Sequence, residues 1–249
     1  MKLRSKLLIV GVCAYLMFLI VTAPASLLFK FTRGQVQSAA VSGTIWRGKA
    51  STLQAGILNI GDVEWNLHVL PLFVGRLSAD MKLLQQKGFA EGNLSLSLGG
   101  QVYLSKFTAS LPLDSILGSG GLPGGWTGTA NIKLDELVLK NNWPNSAKGT
   151  VDLVDITGPA NEPVNLGNYR VTLPATESTP SSLVGDLQDL GGAAIGITGK
   201  LIIGADRSYQ LNTLVAARPN TPDSIAKGMQ FLGDADAQGR RPFTVSGTM

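Results

Sequence analysis

His68 is the only histidine of the chain and Cys13 its only cysteine, so a Ser-His-Asp relay, a Cys-His pair or a zinc cluster has one imidazole to be built around. Its neighbours argue against such a role. Val63, Trp65, Leu67 and Val69 alternate with Asp62, Glu64, Asn66 and His68, the two-residue period of a strand with one face in water. His68 falls on the polar face and reads as a solvent-exposed strand residue. Carboxylates close enough in sequence for general acid/base work occur at Asp135-Glu136, at Asp186 with Asp189 and at Asp234 with Asp236, all in stretches that read as solvated turns or loops. No phosphate-cradling P-loop and no G-x-G-x-x-G opening a helix occurs. These types and spacings yield no catalytic residue, no metal ligand set and no cofactor site. The expectation is a protein that is not an enzyme and works through its surfaces.

The elements that present those surfaces begin at the N-terminus. Lys2, Arg4 and Lys6 precede an apolar run that includes Leu7, Leu8, Ile9, Val10, Leu16, Phe18, Leu19, Ile20 and Val21 and resumes at Leu27 and Leu28. As one helix, Leu7 to Leu28 would rise about 33 Å, enough for a hydrocarbon core of about 30 Å. The expectation is a single-pass membrane anchor with Lys2, Arg4 and Lys6 holding its start in the cytoplasm. A cleaved signal peptide stays open as the alternative, because Ala23-Pro24-Ala25 offers small residues in an A-x-A arrangement with cleavage after Ala25. Cys13 lies inside this segment, so the rest of the chain has no disulfide.

Five of the 21 basic residues lie in the first 33 positions, which leaves 16 against 17 acidic ones in residues 34–249. The basicity therefore belongs to the N-terminus, and nucleic acid is not an expected partner. The chain divides on this reading into an N-terminal tip and anchor over residues 1–33 and one β domain over 34–249.

Within the β domain a glycine followed by a polar residue and alternating apolar positions recurs. It opens Ser42-Gly43-Thr44-Ile45-Trp46-Arg47-Gly48 and returns at Gly75, Gly92, Gly128, Gly149, Gly199 and Gly247. These glycines read as strand punctuation in an antiparallel sheet, their irregular spacing arguing against a solenoid. Leu77 to Leu83 and Leu94 to Leu98 continue the alternation, with Gly99-Gly100 as a hairpin turn before Val102 to Ser110. Leu111 to Leu117 reads as a short helical turn near Pro112, and Gly118 to Gly125 as a loop, or alternatively a lobe boundary. The apolar phase slips at Asp135-Glu136 and again between Leu153 and Val154, which predicts bulges and a strongly curved sheet. Residues 158–192 read as the least ordered part, with strand only around Val164 to Leu173. A hairpin follows, Ala193 to Ile203 with Tyr209 to Ala216. The spacing then predicts one short helix capped by Thr221, with Pro222 at its first position and Gly233 at its end, and a last strand from Pro242. Core is the expectation for Trp65; for Trp46 and Trp126, core and rim stay equally open.

The N-terminal anchor, the Ser42–Gly48 run, Val63-Glu64-Trp65-Asn66-Leu67 leading to Gly75-Arg76-Leu77, and Met229-Gln230-Phe231-Leu232-Gly233 followed by Asp236-Ala237-Gln238-Gly239-Arg240 resemble the protein N family of the bacterial type II secretion system. Gly43, Thr44, Trp46, Gly48, Trp65, Gly75 and Gly239 carry the likeness. It implies a non-catalytic accessory subunit, single-pass in the inner membrane with its bulk in the periplasm, partnered by other secretion components. The glycine-threonine-apolar-tryptophan strand is also similar to AsmA-like proteins. That second likeness implies a mainly β groove or open barrel with a greasy inner face, and as the alternative function a periplasmic carrier of lipid or another hydrophobic ligand. Neither likeness brings a cofactor.

Overall fold

A computed structural model describes residues 2–30, 36–55, 58–117, 126–158, 164–174, 179 and 182–248. The glycine-rich break at 118–125 lies outside the described residues, as do the side chains of Lys2 and Arg4. The chain forms two compact units, Met1–Gln86 and Lys87–Met249.

In the first unit Pro24 decides where the first helix stops. The residue before a proline is pushed out of the α region, and helix α1 runs from Lys2–Thr22, its last hydroxyl, Thr22 Oγ1, donating back to the Phe18 carbonyl at 2.7 Å. A separate short helix, α2, occupies Ser26–Lys30. This corrects the expectation of one apolar helix from Leu7 to Leu28. Leu27 and Leu28 sit on α2, and the apolar part of α1, Leu7 to Val21, rises only about 22 Å. Among the described residues no helix is long and apolar enough to cross a membrane.

The sheet of this unit contains β1 (Val36–Gln37), β2 (Ala40–Gly43), β3 (Arg47–Ala55), β4 (Leu58–His68) and, after a 3-10 turn at Leu70–Val74, β5 (Arg76–Gln85). β1 and β2 both pair with β3, which pairs with β4, which pairs with β5, all antiparallel. The alternation read on β4 holds for Val63, which is buried, while on β5 both Ala79 and its neighbour Ser78 are buried. The Ser42–Gly48 run is the end of β2, a turn and the start of β3. Gly43 at φ 88 faces Gly48 across the ladder, and the residues between them form the tip of the β2–β3 hairpin.

The second unit is a meander of β6 (Gly88–Ser97), β7 (Val102–Pro112), β8 (Thr127–Lys140), β9 (Trp143–Thr157), β10 (Asn165–Leu173), β11 (Ser182–Asp189), β12 (Ile195–Gly204), β13 (Ser208–Ala217) and β14 (Arg241–Thr248). Each strand pairs antiparallel with the next. β14 ends the path, and among the described residues it pairs with β13 alone, which leaves its other side as a sheet edge. Helix α3 (Leu113–Leu117) follows Pro112 as the sequence predicts, and α4 covers Asp223–Met229. Leu113, Ala130, Ile156, Tyr169 and Ala193 form a buried cluster, with Trp126, Leu153, Leu166, Leu187 and Ile197 packed against it.

The ladder breaks register between Leu134 and Glu136, which is the first predicted bulge; near the second, Asp155 takes φ 54. Asp135 and Glu136 consequently lie within β8, not in a turn. β11 corrects the reading of 158–192, since Leu183 and Val184 there are buried strand residues. Helix α4 also begins one position later than expected. Pro222 is its cap residue, while the Thr221 hydroxyl accepts from the Arg218 N–H at 2.7 Å and donates to the Ala194 carbonyl instead of capping. The helix closes at Met229 with Gln230 as its cap, before Gly233 is reached. Gly92, Gly149, Gly199 and Gly247 lie inside strands and not at their starts. At Gly149, φ is +146 and a Cβ would meet the Lys133 carbonyl oxygen at 2.2 Å, so close passage of the neighbouring strand requires glycine there.

Candidate functional site

A helix ends with carbonyls that have no partner inside it, and in α1 one of these is answered from the β2–β3 hairpin. The indole N–H of Trp46 donates to the Ile20 carbonyl at 2.8 Å. Around it the Ile45 N–H donates to the Ala23 carbonyl at 2.9 Å and the Ala25 N–H to the Gly43 carbonyl at 3.0 Å. Pro24 and Thr44 form an isolated β-bridge. The hairpin tip thus grips the chain on both sides of the proline break, and Ala25 is buried beneath it.

The grip is held from behind by the sheet. The Thr44 N–H donates to the Arg47 carbonyl at 2.8 Å and the Arg47 N–H returns to Thr44 Oγ1 at 3.2 Å. Trp65, on β4, donates its indole N–H to the Ile45 carbonyl at 3.0 Å, and the Leu67 N–H donates to the Trp46 carbonyl at 2.6 Å. A Cβ on Gly48 would lie 2.4 Å from the Trp65 ring, so only glycine lets that indole reach the loop. Gly43, Thr44, Trp46, Gly48 and Trp65, named from sequence as one motif, meet here as one clamp. Both Trp46 and Trp65 are half-buried. Gly75 serves elsewhere, as the left-handed cap of the 3-10 turn, φ 70.

Gly239 belongs to the second unit, in the turn before β14, where its N–H donates to the Asp236 carbonyl at 2.9 Å. The Asp236 carboxylate accepts the N–H of Arg240 and of Gln238 and the Arg240 guanidinium. These donors, the Arg240 N–H first, hold its pKa below the usual carboxylate range.

His68 and Asp189, two of the residues read as weak chemical candidates, are tied into other contacts. His68 is exposed, with Nε2 2.8 Å from Asp80 Oδ2. Asp189 accepts the N–H groups of Gly191 and Ile197 and pairs with Arg218. Near them the Tyr169 hydroxyl donates to the Leu166 carbonyl. Its pKa is pushed up to about 12, chiefly by burial, next by Asp189, with Arg218 pulling the other way. This Tyr169, Asp189 and Arg218 group has no local sequence signature, because its members come from β10, β11 and the turn after β13. Trp143 donates to the Gly204 carbonyl at 2.7 Å and lines an open cleft of about 410 Å³ with Lys140 and Arg207. Among the described residues no three His, Cys, Asp or Glu side chains gather as a metal site would need.

Against known proteins, residues 34–244 match the family model described as "Type II secretion system (T2SS), protein N". A protein named type II secretion system protein N from Aeromonas hydrophila is 27% identical over 98% of this chain and 99% of its own length. A protein of the same name from Vibrio cholerae serotype O1 is 23% identical over 86% of this chain and 85% of its own. No solved structure matches.

Proposed function

Because the chain belongs to the type II secretion system protein N family, we propose that it serves the secretion machine as a non-catalytic accessory subunit, held at the inner membrane by α1 with residues 34–249 in the periplasm. The observation that carries the reading is the clamp. It fixes the end of α1 to the sheet, so that the β body rides on whatever α1 is buried in. The apolar side chains of α1, from Leu7 through Phe18 to Val21, are exposed all around the helix, and a helix without a polar face is normally covered by lipid or protein. The apolar stretch is shorter than a bilayer core; snorkelling of Lys6 and local thinning are the ordinary accommodations. Cleavage after Ala25 would discard Ile20 and Ala23, which the clamp engages, and this favours retention.

The binding mode consistent with the fold is addition of an extended partner segment to the free side of β14, where Phe243 and Val245 are exposed and backbone groups face outward. Co-purification in mild detergent from the native host should recover other secretion components, and recovery of none with several cross-linkers would remove the partner reading. A reporter fused after Met249 should work only in the periplasm, and protease should digest the body in spheroplasts. Leu16→Arg should weaken membrane retention, since a charge there costs about 2.5–3.5 kcal/mol on the insertion scale. A soluble periplasmic species beginning at Ser26 would replace the anchor with the signal peptide.

A second reading, carriage of lipid or another hydrophobic ligand, is favoured by one observation. No large side chain among the described residues is fully buried, and on β5 Leu77 and Met81 remain exposed on the face whose alternation marks it as apolar. Native mass spectrometry of the detergent-free body would show bound lipid under this reading and a bare mass under the first.

A further inference from the structure

The 3-10 turn Leu70–Val74 contains no buried residue. Leu70 is 81%, Phe73 82% and Val74 75% exposed, with Val69 and Leu72 also open to solvent. Large apolar side chains gathered on one short turn mark a contact surface, and the position of the turn says with what. Ile20, in the last turn of α1, accepts from Trp46, and the Trp46 carbonyl accepts from Leu67. Leu70 is three residues further on, at most about 11 Å of chain. The turn therefore stands at the end of the sheet where α1 is clamped. Arg47, next to Trp46 in the chain, and Arg76, just past the turn, are both exposed, and Trp, Lys and Arg side chains are the usual anchors of a protein at the membrane interface.

We propose that Leu70, Phe73 and Val74 dip into the headgroup and acyl boundary of the bilayer that holds α1, giving the first unit a second, monotopic attachment to lipid. One clamp and one greasy turn, at the same end of the sheet, fix its tilt on the membrane in a way a single helix cannot. The inference rests on the membrane reading of α1 and adds a site to it.

The test uses the full-length chain with Cys13→Ser, carrying one cysteine at a time for an environment-sensitive fluorophore: Phe73→Cys, Phe18→Cys in α1, or Leu84→Cys. Leu84 is exposed on the same strand as Arg76 but eight residues along it, about 26 Å from the turn. The protein is reconstituted into phosphatidylethanolamine–phosphatidylglycerol vesicles containing lipids with nitroxides on the acyl chains. The expected result is blue-shifted emission and severalfold stronger quenching at positions 18 and 73 than at 84. Quenching at 18 with an aqueous signal at 73 overturns the turn and leaves the anchor standing. An aqueous signal at both overturns both. Shielding of position 73 in native membranes but not in the vesicles assigns the turn to a protein partner and also overturns the proposal.

Discussion

Trp46 caps Ile20: an indole N–H from a hairpin tip satisfies a helix carbonyl 26 residues earlier in the chain, at 2.8 Å. Trp46→Phe keeps the ring and removes the donor. The expected loss is about 0.5–1.5 kcal/mol, that of one hydrogen bond exposed to solvent. Chemical denaturation in detergent measures it, and an unchanged midpoint would mean the cap contributes nothing.

Gly48→Val should cost about 1–3 kcal/mol, the usual penalty for overpacking, because its first carbon would stand 2.4 Å from the Trp65 ring. The same experiment at Gly99, where a Cβ meets only Ser97 Oγ at 3.7 Å, should give Gly99→Ala a change within about 0.5 kcal/mol. Thermal unfolding followed by tryptophan fluorescence separates the two.

Asp189 is 13% exposed at its side chain and pairs with Arg218 while accepting two backbone N–H groups. Asp189→Ala leaves a half-buried guanidinium and two amides without their acceptor, for an expected loss of about 1–3 kcal/mol. Combining it with Arg218→Met should restore part of that loss, since replacing a buried pair by apolar side chains is far milder than breaking it. Equal destabilisation by the single and double variants would show that the pair is not the reason.

The Tyr169 hydroxyl has its pKa raised from 10.0 to about 12, so in alkali the unfolded chain ionises first. The stability that depends on the neutral hydroxyl is complete below pH 10 and fades as the pH rises through about 12. Tyr169→Phe should cost about 1–3 kcal/mol at neutral pH, through the unanswered Leu166 carbonyl, and should flatten the decline between pH 10 and 12. Equilibrium denaturation across that range checks both effects.

What could be read in advance follows the reach of each interaction. β4, β5 and the β12–β13 hairpin announce themselves by period-two alternation, and the bulge at Asp135 by a slip in that alternation, because these signals are local. The motif glycines and tryptophans of the clamp were also legible as belonging together, yet their role was not. Trp46 and Trp65 act through carbonyls at Ile20 and Ile45, and nothing in a sequence marks which carbonyl an indole will find. β11 is hard to read because Ser182, Gly185, Asp186 and Gln188 dilute the apolar signal of Leu183, Val184 and Leu187. Hydropathy counts Leu27 and Leu28 as continuous with Val21, whereas Pro24 breaks the helix between them.

From β7 to β14 every strand lies beside the one that precedes it in the chain, and this has a kinetic meaning. Each strand's partner is its neighbour in the chain, so no strand needs a partner from further off before it can pair. A chain delivered N-terminus first, from a ribosome or through a membrane channel, can add strands in the order in which they arrive, each completed ladder serving as the template for the next. Arg241–Thr248 comes last among the described strands, so its ladder is the one laid down on a sheet whose other strands are already in place.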